Sequence, residues 1–303
     1  MTTSRHAITR IVSVSRTVPD LDAAARFYRA AFGFEASGSA VEVSESDKNL
    51  LDVEDGLVFR LEMDLGQQHL TLLQFAPAGR PFPAGSTASD LWFQHCAVVV
   101  GDMARAHAQV MRAGALPISD DGPQHLPANT GGVTAFKFRD PFGHPWELLA
   151  LPQGVGDPAW REPSPSLFRG IDHTAIAVSA LEASHDFYGD ILGLSQTGQT
   201  HNRGVAQTRL DGVPDDDVDV LALNPENAPP HLELLAYRTG SRRYLAAVAP
   251  ADTVVTRTIV AGDVDAIAAR LPRQARLRRG TWKSRPAIAF DDPDGHAWIS
   301  VTT

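Results

Sequence analysis

Hydrophobic residues along this chain follow two rhythms in turn, and the alternation repeats. Ile11-Val12-Ser13-Val14-Ser15 has the short apolar character of a buried strand, and Pro19-Asp20-Leu21 then opens a helical stretch that runs through Phe27-Tyr28. The strand His95-Cys96-Ala97-Val98-Val99-Val100 is followed from Asp102 by Met103, Ala106, Val110 and Met111, spaced by three and four as on one face of a helix. Gly114 is the stop signal of that helix. Ile171 to Val178 gives a third strand, and Leu181, Phe187, Tyr188, Ile191 and Leu192 form the stripe of a third helix. Further strands are predicted at 57–62 and 133–138. The pattern predicts four units, each a strand, a helix and then about three strands. The aligned first-strand positions are Ser13, His95, His173 and Thr256, spaced by 82, 78 and 83 residues.

The units share their punctuation in alternate pairs. Units one and three both carry Phe-Tyr late in the helix, at Phe27-Tyr28 and Phe187-Tyr188, followed by Phe32-Gly33-Phe34 and Leu192-Gly193-Leu194. Units two and four share Asp140-Pro141-Phe142-Gly143-His144 and Asp292-Pro293-Asp294-Gly295-His296, in which proline presets φ and glycine permits φ > 0. A proline- and glycine-rich stretch at 153–168 separates the two pairs. The expected domains are therefore 1–152 and 169–303, joined by that linker.

Composition narrows the function classes. A net charge of −9 over 303 residues argues against a nucleic-acid-binding face. Cys96 is the only cysteine, which excludes a thiolate cage and a disulfide within the chain. No apolar run is long enough to span a bilayer, and the first residues lack the apolar core of a signal peptide. The expectation is a soluble cytoplasmic protein with no membrane partner, monomeric or homodimeric, acting on a small molecule.

Four residues carry the chemistry. His95 and His173 stand at matching places in two strands, and Glu147 and Glu233 stand in the later apolar strands Trp146-Glu147-Leu148-Leu149 and Leu232-Glu233-Leu234-Leu235. A carboxylate in such a strand is costly to bury unless it is paired or metal-bound. Imidazole and carboxylate together suit a divalent transition metal. Side-chain alternation puts His173 with Ala175 and Ala177, and His95 with Ala97 and Val99, so small neighbours leave room beside each ring. The corresponding places elsewhere are Thr71 in unit one and Ile299 in unit four. Ser13 with Thr71, or Thr256 with Ile299, would not hold such an ion.

The strand with His, the helix ending in Phe-Tyr, the Leu-Gly-Leu and the closing Gly-His-x-x-Glu-Leu strand resemble the vicinal oxygen chelate superfamily. That superfamily includes glyoxalase I, methylmalonyl-CoA epimerase, the extradiol dioxygenases and the bleomycin resistance proteins. The resemblance implies an α+β fold of four βαβββ modules paired into two cup-shaped mixed-sheet halves. If modules two and three share a cup, His95, Glu147, His173 and Glu233 form a complete set, and the cup of modules one and four is metal-free. The resemblance then implies one Zn, Ni, Co, Mn or Fe(II) ion, and a glyoxalase- or epimerase-type isomerase or lyase with Glu147 or Glu233 as base. An extradiol-type dioxygenase and a small-molecule-sequestering resistance protein are the alternatives.

Other polar residues are expected around the cup. Gln124, His125 and Asn129 lie in a loop rich in glycine and proline that could act as a lid. Lys137, between Phe136 and Phe138, faces either substrate or solvent. His201, Asn202, Gln207 and Arg209 fall in the matching stretch of module three. His231 shares strand parity with Glu233. His6 reads as a tail residue.

Overall fold

The computed structural model describes residues 7–162 and 164–303; His6 and the linker's Pro163 lie outside the described residues. Among the described residues, six α-helices punctuate the strands: α1 (Leu21–Phe32), α2 (Glu45–Leu50), α3 (Met103–Arg112), α4 (Leu181–Asp186), α5 (Val205–Asp211) and α6 (Val264–Arg270). Asp20, Asp102 and Asp263 begin α1, α3 and α6, each side chain accepting the N–H three residues on, at 2.9, 3.0 and 3.0 Å. Such caps satisfy amides that the first helical turn leaves without partners. Module three has Ala180 in the capping place and no side-chain cap. Its helix continues past α4 as a π-helical turn at Phe187–Ile191.

The strands form two nine-stranded sheets, and each sheet takes one module from each half of the chain. In the first, strand Ile8–Thr17 of module one lies antiparallel to Thr256–Gly262 of module four. In the second, Gln94–Val100 of module two lies antiparallel to Phe168–Ala177 of module three. Each of these central strands has a parallel neighbour from its own module: Gln68–Ala76, Ala297–Thr302, Pro145–Ala150 and His231–Tyr237 respectively. Mixed sheets of this kind bring the ends of distant segments side by side.

The cores follow the other pairing. One apolar cluster joins α1 to Cys96, Val98, Trp146 and Phe138, and so binds module one to module two. A second joins Phe187, Tyr188 and Leu232 to Ile288, Phe290 and Trp298, and binds module three to module four. The repeated punctuation serves these joints. The Tyr28 hydroxyl donates to Asp140 at 2.5 Å, and that carboxylate also accepts the amides of Phe142 and His144. Tyr188 donates to Asp292 at 2.6 Å, which likewise accepts the amides of Asp294 and His296. Among the described residues, no helix is long and apolar enough to cross a membrane.

Candidate metal centre

The ladder between modules two and three brings the four residues together. His173 lies opposite Ala97, and His95 opposite Ala175. On either side, Glu147 is the parallel neighbour of Ala97, and Glu233 that of Ala175. Side chains at these ladder positions point to one face, so two imidazoles and two carboxylates converge over two alanines. His95 Nε2 is 2.9 Å and His173 Nε2 3.7 Å from the same Glu147 oxygen. His173 Nε2 is 3.5 Å from Glu233. Ligand atoms of His95, Glu147 and His173 all lie within 4.8 Å of one another.

Both nitrogens of His95 and Nε2 of His173 are buried with no aligned hydrogen-bond partner. Buried polar atoms are seldom left so, and an unpartnered imidazole nitrogen is what a cation would use. Burial, reinforced by Lys137, pushes the His95 imidazole below its ordinary pKa and keeps it neutral. Burial opposes the charge of Glu147, but Lys137 and the two imidazoles hold its carboxyl well below the usual range. Burial likewise opposes a charged His173, yet Glu233, Asp172 and Glu147 raise it well above its ordinary value. The donor set fits a divalent metal, because a cation could replace the proton that these carboxylates hold on His173.

One supporting residue gave only a faint sign in the sequence: Asp172, the acid immediately before His173. Its carboxylate lies 2.9 Å from His173 Nδ1, and its other oxygen accepts the Trp160 indole N–H at 2.5 Å. Trp160 belongs to the segment between the repeats. That linker thus fixes the rotation of a ring in the site, the usual service of a carboxylate behind a ligand histidine. His231 packs at 5.2 Å on the His173 ring and stands 3.5 Å from Glu233.

Helix α5 roofs the cup, with Ala206 and Leu210 packed with Ala135 and Leu149. Lys137 is buried beneath it rather than solvent-facing, its ammonium 2.5 Å from Asp211 at the end of α5. Asp211 also accepts from Gln207 and from the Tyr237 hydroxyl, both at 2.8 Å. Asn202 lies opposite Val218 on the cup side of its ladder, its buried Oδ1 unpartnered. The remaining expected contacts are turned elsewhere. His201 occupies the alternate strand face and pairs with Asp219 at 2.8 Å. Arg209 is half exposed beside Asp121. Gln124 folds back on the carbonyls of Asp120 and Gly122. His125 bonds Thr134 at 3.2 Å from an exposed position, and Asn129 is exposed. Their loop is tied to α5 through the Asp120 amide and the Ser119 hydroxyl, so it buttresses the roof.

The companion sheet repeats the ladder with other residues. Ser13 lies opposite Ile259 and Ser15 opposite Arg257, with Ile299 and Thr71 as the parallel neighbours. Ser13, Thr71, Arg257 and Ile299 therefore stand where His173, Glu233, His95 and Glu147 stand in the second sheet. The module-four position is Arg257, not Thr256. Thr256 faces the other way and accepts from Arg16 at 2.9 Å.

A family model described as the Glyoxalase/Bleomycin resistance protein/Dioxygenase superfamily matches residues 10–148 and again 170–299. Glyoxalase I from Zea mays superposes with a TM-score of 0.64 at 17% identity, over 97% of this chain and 92% of that one. A protein of Bacillus subtilis subsp. subtilis str. 168, named "putative dioxygenase", superposes with a TM-score of 0.60 at 13% identity, over 98% and 86%. At these identities the two structures attest the fold alone. No curated protein matches the sequence.

Proposed function

Since this chain belongs to the Glyoxalase/Bleomycin resistance protein/Dioxygenase superfamily, we propose that His95, Glu147, His173 and Glu233 hold one divalent metal ion. The protein is then a metal-dependent enzyme of the glyoxalase or epimerase type, an isomerase or lyase acting on a small oxygenated substrate. The observation that carries this reading is the convergence on one carboxylate of two buried imidazoles whose Nε2 atoms have no aligned hydrogen-bond partner, drawn from three strands. Such an ion, when bound, supplies Lewis-acid stabilisation of negative charge on substrate oxygen.

The chain supplies the rest. Ala97 and Ala175 leave the floor of the cup open between the four side chains. Asp172 and Trp160 hold His173 in one orientation. Helix α5 and its loop limit the entry of water. A glutamate takes the proton from the carbon beside the carbonyl, while the C–H electron pair stays with the substrate. The same carboxylate then returns the proton at the product position, acting first as base and then as acid.

A second reading has its own support. His95, Glu147 and His173 cluster more tightly than the full four, and two histidines with one carboxylate are the face used by non-haem Fe(II) oxygenases. Elemental analysis of the purified chain, repeated on His95→Ala and Glu233→Ala, tests the common premise. Full metal occupancy in both variants would sink it. Oxygen uptake with catechols, measured on the iron-loaded chain, separates the ring-cleaving reading from the isomerase.

A further inference from the structure

Glu147 and Glu233 are equivalent by repeat but not by surroundings. The antiparallel neighbour of Glu147 is Lys137, whereas the matching neighbour of Glu233 is Ala222. Lys137 is 4% exposed, and its ammonium lies 2.5 Å from Asp211 in the roof. Asp211 is itself held by Gln207 and Tyr237, so the ammonium is fixed on the flank of Glu147. Burial works against that ammonium, but Asp211 and Glu147 keep it charged. With His95 and His173 on its other sides, the Glu147 side chain is 7% exposed, against 22% for Glu233. At the corresponding ladder place Glu233 has the methyl group of Ala222 in place of an ammonium.

We infer that Lys137 is a positioning residue that pins Glu147 as the stationary carboxylate of the centre and leaves Glu233 as the movable one. Resting on the metal-centre reading above, this assigns the proton transfer to Glu233. Of the two carboxylates, Glu233 is the more exposed and has no ammonium at its ladder flank, so it is the freer to reach a substrate carbon. Lys137 works through Glu147 and Asp211. The repeat supplies two matched carboxylates, and one ammonium divides their labour.

Zinc affinity of the full chain, measured by competition with a chromophoric chelator, tests this without knowledge of the substrate. E147Q is expected to weaken zinc binding beyond the about 10–100-fold typical of losing a supporting residue, and E233Q to weaken it by less than about 10-fold. K137M should narrow the gap between the two glutamine variants when combined with each, and K137R should preserve it, which a merely structural lysine would not do. K137Q takes the place of K137M if the latter fails to fold by circular dichroism. Equal losses in E147Q and E233Q, the reverse order, or a gap that K137M and K137Q leave intact would each overturn the inference while leaving the metal centre standing. Unchanged affinity in H95A, E147Q and E233Q together would remove the centre itself, and this inference with it.

Discussion

The two cups of this molecule share one ladder and differ in what stands on it. Over Ala97 and Ala175, the second sheet gathers two imidazoles and two carboxylates. Over Ile259 and Ser15, the first sheet places Ser13, Thr71, Arg257 and Ile299. There Ile299 joins Ile259, Val301 and Trp282 in an apolar cluster, while Ser13 and Thr71 bond each other at 2.8 Å. Arg257 is buried, donates to Thr17 and the Pro250 carbonyl, and is pushed down to about 10 by burial with Arg278 nearby. At neutral pH it is still a fixed cation where the other cup has a neutral imidazole. A cup is therefore a shape that either chemistry can fill, and the donor set decides whether it can take a metal.

The sharpest way to break this contrast is to truncate the same ladder position in both sheets. Glu147→Ala is expected to abolish metal binding, read by elemental analysis. Ile299→Ala should leave metal content unchanged and lower stability by about 2–5 kcal/mol in denaturant unfolding, as a core truncation does. Metal loss in Ile299→Ala would mean that the first cup contributes to the centre after all.

A smaller effect isolates the linker's part. Asp172→Asn removes the carboxylate behind His173 and should cost about 10–100-fold in metal affinity. Trp160→Phe should weaken binding in the same direction and by less, since it removes only the donor to Asp172. Chelator competition checks both, and an unaltered affinity in Asp172→Asn would deny the carboxylate any orienting role.

The smallest expected effect concerns Asp216, which neighbours the Asp211 that anchors Lys137. Asp216 is raised to about 8, by burial first and then by the neighbouring Asp211 carboxylate. An unfolded carboxyl titrates near about 4, so between these values the folded chain holds a proton that the unfolded chain has released. Stability contributed at this site therefore falls as pH rises from about 4 to about 8 and is level above that. Asp216→Asn should flatten that fall, its melting temperature gaining on the wild type as pH increases. Parallel melting curves across this range would exclude the retained proton.

Legibility of the site tracked how local each cue was. His95, Glu147, His173 and Glu233 were visible because repetition places them at matching points of apolar strands. Lys137 could be assigned to the face opposite Phe136 and Phe138, but not to the interior, because its partner Asp211 lies 74 residues away. His201 was misplaced by one strand face, and Thr256 by one residue. A slip of one residue moves a side chain to the other side of a sheet, and apolar runs on central strands carry no alternation to fix the register. The irregularities at Ile11/Ser13 and Ile171/His173 shift that register again.

The chain's own order of residues determined the four modules, the aspartate caps of three helices and the matching places of His95, Glu147, His173 and Glu233, since each depends on sequence neighbours or on the internal repeat. Tertiary structure alone decided that modules two and three share a sheet, that Arg257 occupies the vacant histidine place, and that Lys137 stands beside one glutamate and not the other. These depend on hydrogen-bond register and on contacts between distant segments, and a strand's sequence specifies which residues alternate without specifying which partner it meets.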